Sequence, residues 1–560
     1  MGYEANCTYE AYTQLAENLA NAGFDVLRFD YHGTGDSAGS DADAHRVRAW
    51  IDSTTLAIHE LKQLAGVSSI SLFGVRLGAT LAAHAASELG GIESMVMWAP
   101  CATGRAFARE LRAASASRSE PESSSAPDNI EAFGHLYTAE TLQDLNALDC
   151  QRLDPPPAKR VMMIGRDDMP SGEGPLPGRY KEMGVDITYA PLPGYAGMMR
   201  DPHEAMIERP TLARIVDWFC AIPPSPNNHT LQNVLVARPP SIVNAVSENV
   251  REIPLKYGPA QSLFGILTEP TERATHGQRS ETVVLMINVG GHCHTGPSRI
   301  YVNMARSWAA SGYRAFRLDV NGIGDSRSQA DLSACNLTSL YSTDYTADVR
   351  AAIDCLAAQG CKKFIIMGIC SGSYIAFHTT QADVRVNGQI LLNSLRLEPP
   401  NDNRRDHWES ASQATTTYKG PRHYLRALSD PIVYKRAVLG QVNVRYIAIG
   451  LVKRYQAIVA ARLRRAANRL LQRTQDEAGT LHTMKRLTAR GVNTLVIVAA
   501  DDPARDFIDF NFGKNANYMH KSPNFQLIVM KDADHTFSTQ QNQCFAATLI
   551  CDYLGGKNVN

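Results

Sequence analysis

Residues 364 to 376 read FIIMGICSGSYIA. An apolar, β-branched run halts at Gly368-Ile369-Cys370-Ser371-Gly372 and gives way to small and aromatic residues that suit a helix, the pattern of strand, tight turn and helix. A turn this sharp strains its central residue and crowds the positions around it, so glycine is needed two residues before and two after. Gly368 and Gly372 meet that need, and the residue held at the apex is Cys370, where a nucleophile would sit.

Working outward, the chain shows one fold written twice. Residues 15 to 37 read LAENLANAGFDVLRFDYHGTGDS, and residues 304 to 326 read MARSWAASGYRAFRLDVNGIGDS. Each predicts an amphipathic helix, a Gly-aromatic stop, a strand and a Gly-x-Gly-Asp-Ser turn, at a constant offset of 289 residues (304 less 15). Downstream, SISLFGVRLGA (69 to 79) answers 363 to 373, and MVMWAP (95 to 100) answers QILLNS (389 to 394). Strands alternating with helices at this spacing predict βαβ units and a mostly parallel sheet flanked by helices. With the elbow at the end of a strand, this is the order of an α/β-hydrolase. The fold class expected is therefore α/β, two hydrolase-like domains in tandem, the first truncated and degenerate, the second carrying a helical cap. The boundaries read as 1–222, a linker at 223–247 with two Pro-Pro pairs, and 248–560 with the cap at about 395–485.

Composition supports an ordinary globular protein. Of 560 residues, 44% are apolar and 20% charged, and 56 basic residues balance 56 acidic ones, so no global field draws the chain to nucleic acid or a membrane. The eleven cysteines lack C-x-x-C spacing and are odd in number, which fits reduced thiols. No signal-peptide pattern opens the sequence, and the expected compartment is the cytoplasm.

Acyl chemistry needs a nucleophile, a base, an acid to orient the base, and donors for the oxyanion. In the second copy Cys370 is the nucleophile. His535 is the base, in the loop after the predicted strand 525–530, and Asp502 is the acid, after the strand 494–500, with Asp501 and Asp506 as rivals. The order Cys, Asp, His is the one this sheet imposes. The amides of Ser371 and of the Gly290-Gly291 loop are the expected oxyanion donors, with His292 or His294 lining the acyl pocket. His292, Cys293 and His294 lack a further ligand pair at finger spacing, so no metal and no cofactor are expected.

The first copy departs from a working site. Its elbow, Gly74-Val75-Arg76-Leu77-Gly78, holds Arg76, which is no nucleophile, and Tyr195 stands where the base would be. Asp168 follows its acid strand, and Arg76 is expected to pair with a carboxylate such as Asp168 or with a bound anion. Missing early strands would leave a sheet edge that the second copy, the linker or a second chain must cover, a homodimer being one of these three ways. Residues 113–128 read as a flexible loop. The basic stretch Tyr434 to Gln475 has three readings, a solvated helix face, a dock for an acidic carrier protein, or a membrane-surface helix.

The motifs Tyr257 to Pro270 (YGPAQSLFGILTEP), Gly296 to Arg299 (GPSR) and Arg317 to Ser326 (RLDVNGIGDS) together resemble the α/β-hydrolases associated with exosortase systems. The cysteine elbow is also similar to that of acyl and aminoacyl transferases serving carrier proteins, and to dienelactone hydrolases. These resemblances imply acyl transfer or thioester hydrolysis through an acyl-cysteine, on a substrate carried by a carrier protein or coenzyme A. The alternatives are an esterase acting on a small ester or lactone, and a non-catalytic scaffold.

Overall fold

The computed structural model describes residues 2–116, 128–169, 173–221, 244–271, 280–326, 340–341, 344–398 and 479–556. The basic stretch 434–475 and most of the expected cap lie outside these residues.

The first half holds β1 (Ser71–Val75), β2 (Ser94–Trp98), a short hairpin of β3 (Ile130–Ala132) and β4 (His135–Tyr137), then β5 (Arg160–Ile164) and β6 (Asp186–Ala190). Its main sheet has the order β1-β2-β5-β6, all parallel. The second half adds β7 (Asn244–Ser247), β8 (Val250–Tyr257), β9 (Leu263–Pro270), β10 (Thr282–Ile287), β11 (Arg314–Asp319), β12 (Lys363–Ile369), β13 (Val386–Leu392), β14 (Asn493–Ala499) and β15 (Phe525–Met530). These form one sheet, β15-β14-β13-β12-β10-β11-β9-β8-β7, parallel from β15 to β11 and antiparallel from β11 to β7.

The parallel core is apolar on both faces because helices cover both. Along β10 the side chains alternate between two cores: Val283, Leu285 and Ile287 meet the helices Thr346–Ala358 and Ser371–Ala382, while Val284 and Met286 meet Ile300–Ala310 and Gln540–Leu554.

Three local expectations are corrected. The stretch 24–31 is not a strand. Its counterpart β11 is held between β10 and β9, and the described first half has neither neighbour; Val26, Leu27 and Phe29 are accordingly exposed. The outer edge of β1 is met at one end by the Tyr12 hydroxyl, which accepts from the Val75 amide at 3.1 Å, while Ser71 to Phe73 stay half-buried. Residues 244–247, assigned to the linker, are β7 and pair with β8, so the second sheet starts before residue 248. Residues 113–116, read as loop, finish the helix Gly104–Ala116.

The repeated Gly-x-Gly-Asp-Ser turn joins the halves. In each copy a buried or turn-facing aspartate, Asp30 or Asp319, accepts from the amide of Asp36 or Asp325 at 3.0 Å. Gly35 and Gly324 are required by close approach: a Cβ on either would lie 2.1 Å from that carboxylate, and both have positive φ. The loop tips then exchange partners. Asp36 accepts from Arg317 at 2.6 Å, and Asp325, its counterpart, accepts from Arg28, the counterpart of Arg317, at 2.9 Å. Residue i meeting j while the twin of j meets the twin of i is the signature of an isologous, two-fold interface.

The two arms of that interface differ in depth. Arg317 is fully buried and also binds Glu252 at 2.9 Å. His294 bridges Asp319 and Asp36, 2.7 Å to each. Arg299 and Arg306 donate to the carbonyls of residues 35 to 39. The Arg28–Asp325 arm, by contrast, is about a third exposed.

Candidate active site

The elbow takes the expected form. Cys370 has φ 54° and ψ −115° between β12 and the helix Ser371–Ala382. A Cβ on Gly368 would stand 2.1 Å from the carbonyl carbon of Gly372, and one on Gly372 would stand 2.7 Å from the carbonyl oxygen of Asn288. The strand and helix can converge this closely only with glycine at both points.

Asp502, at the end of β14, caps the helix Pro503–Phe512 by accepting from the Ala504 amide through Oδ1 at 2.8 Å. Its other oxygen binds His535 Nδ1 at 2.8 Å. The cap fixes the carboxylate, and the carboxylate fixes the ring. Asp502, not Asp501 or Asp506, therefore holds the acid position. His535 Nε2 is buried with no hydrogen bond of ordinary geometry, yet the imidazole and the thiol perturb each other. Burial pushes the Cys370 thiol up, but the charge of the neighbouring His535 outweighs it, with help from Tyr341, so the thiol lies below its ordinary 9.0. Burial would push His535 down, but Asp502 and Cys370 hold it well above 6.5. Each group thus favours the charged form of the other.

The oxyanion loop needs one correction. The Gly290 amide, an expected donor, is spent on Ser371 Oγ at 2.9 Å. Of the two glycines it is Gly291 that has no hydrogen bond on its amide among the described residues. His292 follows in the same loop, its carbonyl held by Asn288 Nδ2 at 3.0 Å. His294 does not line an acyl site; it lies in the interface between halves. His294, Asp319 and Asp325 do bring ligand atoms within 4.8 Å of one another, but both imidazole nitrogens of His294 already bind carboxylates.

Sequence reasoning missed Tyr341, whose hydroxyl lies 3.8 Å from Cys370 Sγ. It belongs to no motif, so only the fold reveals it.

In the first half Arg76 keeps the strained elbow, φ 54° and ψ −127°. The expected Arg76–Asp168 pair does not form. Arg76 binds Glu4 at 3.0 Å and Glu110, both brought in by helices, while Asp168 is taken by Arg166 in two 2.8 Å bonds. Tyr195 is buried, with the Arg166 guanidinium 4.7 Å from its ring centre, and Asp167 binds the amides of Gly194 and Ala196. Two carboxylates meet the Arg76 cation, leaving no uncompensated charge to call for an anion.

Family comparisons agree with this division. The model described as the alpha/beta hydrolase family matches residues 284–547, and the one described as serine aminopeptidase, S33, matches residues 5–122. The fold is that of two α/β-hydrolase-like domains in tandem. Similar solved structures include a serine hydrolase from Cycloclasticus zankles (16% identity, 55% of this chain and 98% of that one, TM-score 0.29). A carboxyl esterase from Tuber melanosporum (15% identity, 58% and 87%, TM-score 0.30) and an esterase from Pyrococcus furiosus (12% identity, 55% and 92%, TM-score 0.32) are also similar. No curated protein matches the chain. Among the described residues of both hydrolase domains, no helix is long and apolar enough to cross a membrane.

Proposed function

We propose that the second α/β-hydrolase domain transfers or hydrolyses acyl groups through an acyl-cysteine. The observation that carries this is the imidazole of His535, oriented by a helix-capping Asp502 and electrostatically coupled to a buried thiol at a strained elbow. The Cys370 thiolate adds to the carbonyl carbon of a thioester or ester, and the C=O pair moves onto oxygen, where the amides of Ser371 and Gly291 receive it. Collapse expels the thiolate or alkoxide, which takes the proton from His535 and leaves acyl-Cys370. A water, amine or thiol then attacks, giving its proton to His535 as the C–S bond breaks and the thiolate returns. The first domain, with Arg76 at its apex, carries no such chemistry. Free thiols at all ten described cysteines suit a reducing compartment, which supports the cytoplasm.

The test is a mass measurement on the full chain incubated with coenzyme A or carrier-linked acyl thioesters. An acyl adduct on Cys370 is expected, and its decay in water, with and without an amine or thiol acceptor, separates hydrolase from transferase. A Cys370→Ala protein that turns over substrate as well as the parent refutes the reading and leaves the scaffold alternative.

A further inference from the structure

The first domain reaches the site of the second through one loop. A Cβ built on Gly291 would lie 2.7 Å from the Pro202 carbonyl oxygen and 3.1 Å from His203 Cα, and one on Gly290 would lie 3.9 Å from His203 Cβ. Residues 202 and 203 thus lie against the loop whose Gly290 amide donates to Ser371 Oγ, next to the elbow cysteine, at 2.9 Å.

Two imidazole nitrogens at this junction are unmet. His203 Nε2 is buried without a hydrogen bond, with a Glu204 oxygen 3.8 Å away, and His292 Nδ1 is buried without one as well. The rings are near enough to interact: burial first, and then the charge of His203, press His292 down to about 3. His292 is therefore neutral at physiological pH. A buried polar atom left unpaired costs more than a formed hydrogen bond returns, so such a pair is best explained by a group that arrives with the substrate.

The chemistry of that group follows from donor and acceptor counting. The neutral His292 ring offers either a donor or an acceptor at Nδ1, His203 can donate from Nε2, and a hydroxyl can accept from one ring while serving the other. An alkyl chain would leave both nitrogens unmet. A carboxylate would enter beside Asp201 and Glu204, the acidic neighbours of His203 on its own loop, whose charges already act on one another. Resting on the acyl-cysteine reading above, we propose that His203 of the first domain and His292 of the second together bind a hydroxyl on the acyl chain, making hydroxyacyl thioesters or esters the preferred substrates. The domain without a nucleophile would then set the specificity of the one that has it.

The experiment compares acylation of Cys370 in the full chain by matched N-acetylcysteamine thioesters: butyryl, 2-hydroxybutyryl, 3-hydroxybutyryl and succinyl. A site built to bond a hydroxyl should favour one of the hydroxybutyryl esters over butyryl by about tenfold or more in kcat/KM. In His203→Ala that ratio should fall to about one whatever the absolute rates, and His203→Gln should recover part of it. Should the alanine variant not fold, the glutamine variant and His292→Gln carry the comparison. Equal or better use of butyryl by the parent, a ratio untouched by the His203 variants, or preference for succinyl overturns the inference while Cys370 acylation still upholds the chemistry. Absence of acylation by every thioester instead removes the underlying reading, and the inference falls with it.

Discussion

The most direct consequence of the site geometry concerns the thiol itself. Replacing His535 by alanine removes the imidazolium charge, the largest influence lowering Cys370, and leaves burial and the Asp502 carboxylate, which both raise it, against Tyr341 alone. Cys101 and Cys150 show what burial does to a thiol in this chain without a histidine partner: each is pushed up to about 12. Without that partner the Cys370 thiol is driven upward, in the direction of those two, and less of it is thiolate at neutral pH. A more basic thiolate is intrinsically more nucleophilic, by about 0.4 to 0.5 log units per unit of pKa, so it returns at most about half, on the logarithmic scale, of what the lost thiolate removes. The net expectation is a loss of alkylation rate of about tenfold or more. The assay is iodoacetamide labelling from about pH 5 to 11, read by peptide mass spectrometry, with the exposed Cys220 and Cys544 as internal references. In the parent, the Cys370 profile should rise at lower pH than theirs; in His535→Ala it should rise at higher pH. If His535→Ala keeps the parent's Cys370 rate at neutral pH while the reference cysteines are unchanged, the coupling argued here does not exist.

Four further outcomes follow from particular contacts. Asp36→Asn strips a carboxylate from buried Arg317 and His294, and urea unfolding should show a loss of about 2–4 kcal/mol, at or below the range for broken buried pairs because Asp36 itself is 28% exposed. The symmetry-related Asp325→Asn, on the shallow arm, should cost under about 1 kcal/mol in the same assay; equal losses would contradict the asymmetry. His294 is raised well above 6.5 by Asp319 and Asp36 against the opposing effect of burial, so its contribution to stability is complete below its unfolded value and declines as pH rises toward the folded one. Unfolding free energy of the parent should therefore drop above about pH 7 more steeply than that of His294→Gln, by up to about 1.4 kcal/mol per pH unit. Gly368→Ala puts a methyl 2.1 Å from backbone and should cost more than about 3 kcal/mol or prevent soluble expression; a stable, active alanine variant would mean the elbow is looser than described.

What the sequence revealed and what it hid divide along a physical line. Cys370, Asp502 and His535 were readable because each is fixed by a local rule: a turn that needs flanking glycines, a helix cap at the end of a strand, a loop at the end of the next strand. The 289-residue offset was readable because the Asp30 and Asp319 turns need glycine where a Cβ would strike their carboxylates. The stretch 24–31 was misread because FDVLRFDY has strand propensity, but a strand forms only beside a neighbour, and β10 and β9 have no counterparts in the described first half. Arg76 was correctly seen to need a carboxylate, yet the supplier was mistaken, since Glu4 and Glu110 arrive on helices whose packing no linear spacing records. Tyr341 and His203 carry no motif at all. Their significance lies in what faces them across the fold, and that is a tertiary fact.

The first domain's elbow poses a question about what the duplication retains. Holding Arg76 at φ 54° costs about 1–3 kcal/mol, a strain that a nucleophile would justify and a salt bridge does not require. The strain persists because it is over-determined: Gly74 packs where any Cβ would lie 2.6 Å from Ala79 Cα, so strand and helix cannot separate to relax the turn. The same rigidity is useful to the other half. Arg28 to Asp325 and Arg317 to Asp36 make the two halves a covalent version of a two-fold dimer, and such an interface works only if both faces keep their shape. Loss of the nucleophile leaves that face intact. Loss of the fold would withdraw the Asp36 loop from Arg317 and His294 and lift Pro202 and His203 away from Gly291. The first domain can therefore forgo its own chemistry but not its architecture, because it walls the Gly290–Gly291 loop of the second domain.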